Sequence, residues 1–80
     1  MNIRIRYFAM IKECMGKREE AIELETGARL SDILSRIRLQ CGSSIRDNNV
    51  LFAVNMEYRD REYVLSDGDT LAVFPMVTGG

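Results

Sequence analysis

Histidine is absent from these 80 residues, and with it the commonest general base and the commonest metal ligand. Cysteine occurs twice, at Cys14 and Cys41. The two form no C-x-x-C pair, so neither a zinc site nor a redox motif is supported. Both fall at helix-compatible positions and read as small buried hydrophobes rather than catalytic thiols. No apolar run approaches the roughly 18 residues that a membrane span needs. The opening Met1-Asn2-Ile3-Arg4-Ile5-Arg6 alternates at once and lacks the apolar stretch of a secretory signal, so a cytoplasmic chain is expected. A field of one sign is lacking too. Eleven basic and twelve acidic residues are interspersed for a net charge of −1, which leaves nothing to hold a phosphate backbone and excludes nucleic acid as a natural partner.

What is present is one small domain. At this length only about 60% of the unfolded chain's surface is buried, so a second core is excluded and an enzyme with a deep pocket of its own is not expected. Residues 2–8 read as a first strand, with Ile3, Ile5 and Tyr7 on one parity and Arg4, Arg6 and Phe8 on the other. The arginines mark the second parity as the solvated face. Phe8 then lies on that face, or just past the strand end. A helical turn or two over Ala9–Met15 is closed by Gly16. Residues Glu19–Glu25 alternate again as a second strand. The cluster Glu19, Glu20, Glu23 and Glu25 reads as the charged dressing of an edge strand rather than a metal or acid/base site.

The strongest helical pattern follows the Thr26-Gly27 break. Leu30, Ile33, Leu34, Ile37 and Cys41 recur at spacings of three and four as one apolar stripe, and Gly42 ends it. A polar loop over 43–49 leads to a third, nearly all-apolar strand, Val50–Asn55, expected to be central or covered on both faces. The residues from Arg59 to Glu62 read as a charged turn, Tyr63–Leu65 as a short fourth strand, and Ser66-Asp67-Gly68-Asp69 as a tight turn. The last strand, Thr70–Phe74, points Leu71 and Val73 inward and Thr70, Ala72 and Phe74 outward. The sum is an α+β pattern, one main helix against one mixed sheet, best met by a β-grasp, ubiquitin-like roll. In that roll the first and last strands lie parallel side by side, which brings Phe8 and Phe74 together on the outer face as a docking surface.

The β-grasp domain over residues 1–74 runs into a tail, 75–80, expected to be flexible: Pro75-Met76-Val77-Thr78-Gly79-Gly80. Two closing glycines arise by chance in roughly one chain in two hundred, so the ending is suggestive but not decisive alone. Its chemistry is apt. Neither Gly79 nor Gly80 carries a Cβ, so the tail can thread a narrow channel. Six extended residues carry the terminal carboxylate at most about 20 Å from the domain. A frayed terminus is the alternative.

Three stretches together carry a resemblance: Phe52-Ala53-Val54-Asn55, Leu65-Ser66-Asp67-Gly68-Asp69, and Ala72-Val73-Phe74-Pro75-Met76-Val77-Thr78-Gly79-Gly80. With the opening Tyr7-Phe8-Ala9 and Gly16, the chain resembles, over essentially its whole length, the small sulfur-carrying subunits of molybdopterin synthase, the MoaD family. The resemblance implies a carrier that binds no cofactor or metal. A separate ubiquitin-activating-like adenylyltransferase uses ATP to adenylate the carboxylate of Gly80, and sulfur then displaces the adenylate to leave a thiocarboxylate. The tail enters the large subunit of a heterotetramer and donates its sulfur to cyclic pyranopterin monophosphate. By the same resemblance Gly79 permits passage through the channel, and Phe8, Tyr58 and Phe74, with Pro75, Met76, Val77 and Thr78, contact the partner. Met76 stands where that family usually has a second proline, which implies a looser tail base. Two other fates share the activated tail: a thiamin-type sulfur carrier, against which Phe74-Pro75 argues, and a modifier whose Gly80 becomes amide-linked to lysines.

Overall fold

The structure, a computed structural model, describes residues 1–42, 45 and 49–76. Among the described residues, five strands and two helices follow one another as β1 (Asn2–Tyr7), α1 (Ala9–Met15), β2 (Glu19–Glu23), α2 (Leu30–Cys41), β3 (Val50–Val54), β4 (Glu57–Arg59) and β5 (Thr70–Pro75). The strands form one mixed sheet in the order β2-β1-β5-β3-β4. First and last strands pair in parallel at the centre, with Ile5 beside Leu71 and Tyr7 beside Val73. The remaining pairs, β1 with β2 and β3 with both β5 and β4, are antiparallel.

Alternation puts the apolar parity of every central strand on one face. Ile3, Ile5, Leu71 and Val73 are at most 1% exposed, and they meet the stripe of α2 in a single core that also takes in Ile11 and Met15 of α1. The five stripe residues expected from the sequence are the five that α2 buries. Each such side chain contributes about 2 kcal/mol relative to exposure. Asp32 starts α2 by accepting the backbone N–H of Arg29 at 2.8 Å, and the Gly42 N–H closes it on the Arg38 carbonyl. Gly16 ends α1 in the left-handed region, φ 75°, donating to Lys12 O at 3.0 Å, where a side chain would be strained.

The Asp67-Gly68-Asp69 turn is a clamp as well as a turn. Asp67 Oδ1 accepts the Asn2 N–H at 2.7 Å, and the Gly68 N–H returns to Asn2 O at 2.8 Å. The buried Asp69 carboxylate accepts the Ser66 N–H at 2.8 Å and Asn55 Nδ2 at 2.9 Å. Asn55 in turn accepts the Thr70 N–H at 3.0 Å. Three segments distant in sequence, the start of β1, the β3–β4 turn and the start of β5, are thereby tied to one motif.

Several expectations need correction. The fourth strand is Glu57–Arg59, not Tyr63–Leu65; Val64 makes only an isolated bridge to Arg29. The chain reverses in two residues, Asn55 and Met56, and leaves β4 wholly exposed, so no apolar alternation announces it. Arg59 consequently belongs to β4 rather than to a turn. Strand ends also move: β1 ends at Tyr7, β2 at Glu23, β3 at Val54, and β5 extends to Pro75. Most of the expected 43–49 loop lies outside the described residues, although Ile45 is buried in the core.

The cysteines are not free. Cys14 and Cys41 form a disulfide, Cα–Cα 5.8 Å, between the C-terminal ends of α1 and α2. A sequence separation of 27 says nothing of that proximity, which the packing of the two helices creates. Closing a loop of this size contributes about 3 to 4 kcal/mol in the chain-entropy account, a large share for a domain with one small core. The glutamate run is likewise not uniformly solvated. Glu20 accepts a 2.6 Å hydrogen bond from the Tyr7 hydroxyl and one from Lys17 Nζ at 3.3 Å. Burial raises the Glu20 carboxyl, but the Tyr7 and Lys17 bonds and nearby positive charge outweigh it and hold the carboxyl below its usual range. Burial first, then the bond to Glu20 and its negative charge, drive the Tyr7 phenol well above its ordinary value.

Candidate docking surface and tail exit

The face of the sheet opposite the helices carries the candidate site, and strand register builds it. Arg6 lies beside Ala72, Ala72 beside Ala53, and Ala53 beside Tyr58. One row across four strands therefore reads large, small, small, large. The two alanines leave a low floor, and larger side chains stand around it. Phe8 and Phe74 pack with ring centroids 5.1 Å apart, and Tyr58 approaches Phe74 at 6.3 Å. The result is a predominantly apolar depression of about 650 Å³, closed at its remaining edge by Thr70, Asn55 and Met56.

Phe8 takes its place because β1 stops one residue short of it. Extended backbone at Phe8, φ −127° and ψ 151°, continues the outward parity of Arg4 and Arg6. Its N–H reaches across to Val73 O at 3.1 Å before the chain turns into α1. The Arg6 guanidinium stands 5.5 Å from the Phe8 ring centroid, near enough for a cation–π attraction, and Glu19 lies 3.9 Å from Arg6. Tyr58 is 72% exposed, whereas Phe8 and Phe74 are half-buried by one another.

Phe74 also begins the exit of the tail. Pro75 still pairs with Val50, and the Met76 N–H donates to Asn49 O at 2.6 Å. A proline has no N–H to give this bond, and Met76 adds one more tie between β5 and the chain entering β3. Val77, Thr78, Gly79 and Gly80, the remaining residues predicted to act, lie outside the described residues.

Of the predicted contact residues, Phe8, Tyr58 and Phe74 line one depression, and Pro75 and Met76 continue the strand that borders it. Sequence reasoning missed the floor, Ala53 and Ala72, and the rim, Arg6, Asn55, Met56 and Thr70. Parity placed Ala72 on Phe74's face, but only register places it beside Ala53. Chemically the aromatic and aliphatic lining of the surface suits binding. Among the described residues no cluster of three or more metal-ligating side chains occurs, and no helix is long and apolar enough to cross a membrane.

A mixed five-stranded sheet with parallel central termini, wrapped on one main helix, makes this a ubiquitin-like β-grasp protein. Its sequence profile is that of the ThiS family, matched over residues 5–80, and the chain belongs to that family. It is similar to the molybdopterin synthase sulfur carrier subunit of Chlamydomonas reinhardtii, 35% identical with both chains covered completely. It is also similar to small archaeal modifier protein 3 of Haloferax volcanii, 30% identical with both chains again covered completely. A solved Pyrococcus furiosus structure described as molybdopterin converting factor, subunit 1, superposes with a TM-score of 0.78 at 32% identity, covering 96% of this chain and 99% of its own.

Proposed function

We propose that this chain is the sulfur-carrier subunit of a molybdopterin synthase. The observation that carries the reading is the aromatic-walled depression lying against the strand that leads into the Gly79-Gly80 ending. A carboxylate is a resonance-stabilised anion and a poor electrophile. A ubiquitin-activating-like adenylyltransferase therefore joins Gly80 to the AMP portion of ATP with release of pyrophosphate. Sulfur attacks the acyl carbon, AMP leaves, and a thiocarboxylate remains. The tail then enters the large subunit, whose pocket holds cyclic pyranopterin monophosphate, and gives up its sulfur while the carboxylate is restored. Phe8, Tyr58 and Phe74 dock the domain, Pro75, Met76, Val77 and Thr78 lead the tail inward, and the complex is a heterotetramer.

A cycle that consumes ATP is in keeping with a cytoplasmic chain. The Cys14–Cys41 bridge fits a cytoplasm that retains disulfides, as in hyperthermophiles, better than one kept reduced by glutathione.

The test is the intact mass of the chain from its own host, or after incubation with ATP, a sulfur source and that host's activating enzyme. A gain equal to one sulfur replacing one oxygen, mapped to the C-terminal peptide, is expected; an unchanged mass rejects the carrier reading. A modifier reading is favoured by one observation, the similarity to a small archaeal modifier. It predicts ladders of heavier, amide-linked conjugates in cells, which a dedicated carrier does not form. A thiamin-type carrier would show the same mass gain but no association with a molybdopterin synthase large subunit.

A further inference from the structure

Among the described residues, three positions other than glycine have positive φ: Ala9 at 53°, Asn55 at 50° and Met56 at 72°. Two of them are the whole β3–β4 turn, since Val54 pairs directly with Glu57. A two-residue turn with both φ positive favours asparagine first and glycine second. Asn55 fits that preference and is further held by its bonds to Asp69 and Thr70. Met56 does not fit. An unbranched side chain at φ 72° carries a conformational cost that glycine would avoid.

Among the described residues, no core contact offsets that cost. Met56 is 97% exposed and stands outside the core cluster. Met56 does, however, border the outer-face depression together with Tyr58 and Phe74. A thioether on three rotatable bonds is a soft, adaptable apolar contact. The occupant of the depression follows from the tail. Four residues beyond Met76 span at most about 14 Å, so on the proposed function the large subunit lies close to the tail exit beside Phe74, and the depression that Phe74 shares with Tyr58 runs from there to Met56 at the opposite end of β3.

We infer that Met56 is a partner-contacting residue, which extends the docking surface from Phe8, Phe74 and Tyr58 to the tip of the β3–β4 hairpin and seats in an apolar recess of the large subunit. The inference rests on the proposed function. It makes the turn a site where domain stability is given up for recognition.

Binding of the purified full chain to purified large subunit, measured by calorimetry beside the thermal midpoint of each variant, tests it. Met56→Gly is expected to melt a few degrees higher and to bind about tenfold more weakly. Met56→Asn, which keeps a residue tolerant of positive φ and so guards against a merely loosened turn, is expected to bind as weakly. Met56→Leu, which keeps the apolar reach, is expected to bind within about twofold of the parent. Unchanged affinity in the glycine and asparagine variants, with the parent binding normally, overturns the inference and leaves the proposed function standing. A parent chain that does not bind the large subunit overturns both.

Discussion

The two faces of the sheet are made by the same strands and serve opposite ends. On the helix side, Ile5, Leu71 and Val73 are completely buried, and each is fixed by neighbours from several elements. On the outer side, Arg6, Ala72, Ala53 and Tyr58 form a row that stands outside the core cluster. The inner face decides whether the domain folds; the outer face decides what it meets. The hairpin tip sharpens the contrast, because a domain selected for stability alone would place glycine where Met56 stands.

If that division holds, damage to each face must show in a different measurement. The largest effect is expected from Leu71→Ala at the centre of the inner face. Loss of the side chain and the cavity left behind should cost about 3 kcal/mol and lower the thermal midpoint by some 15 °C, with whatever remains folded still binding the large subunit. Phe74→Ala inverts the pattern. Half-buried on the outer face, it should cost about 1 kcal/mol of stability but about 2 kcal/mol of affinity, roughly 30-fold, in a titration against the large subunit. A Phe74→Ala chain that unfolds yet binds normally would erase the distinction between the faces.

A smaller effect tests the edge of the inner face, where Tyr7 meets Glu20. Tyr7→Phe removes the 2.6 Å bond and should cost about 1 to 2 kcal/mol at neutral pH. The pH dependence has a definite sign. Glu20 is held below its ordinary value of 4.5, so the stability it contributes is fully present above that value and is lost as pH falls through the lower folded value. Without the Tyr7 bond the carboxyl returns upward, and the difference between parent and variant should shrink on acidification. Denaturant midpoints collected from neutral pH into the acid range would show it; a constant difference would mean that Tyr7 does not tune Glu20.

Much of this was legible in the residues, and what was not has identifiable causes. The α2 stripe and the parity of β1 and β5 were readable because a helix of 3.6 residues per turn and a strand of period two imprint burial directly on spacing. The outward pairing of Phe8 with Phe74 followed once parallel end strands were assumed. β4 was misread because an exposed edge strand needs no apolar pattern, and the Asn55-Met56 turn lacks the glycine that would have announced it. The docking floor escaped because Ala53 and Ala72 carry no chemical signal until they are neighbours.

The sequence by itself determined the local quantities: which positions are apolar, where glycines permit a helix to end, and that Gly79-Gly80 follows an apolar strand. Only the tertiary structure decided which distant residues share a surface. Packing α1 on α2 brought Cys14 to Cys41, the Asp67-Gly68-Asp69 clamp joined Asn2 to the β3–β4 turn, and register set the two alanines between Arg6 and Tyr58. Those relations depend on how elements pack in three dimensions, and sequence spacing carries no measure of that distance.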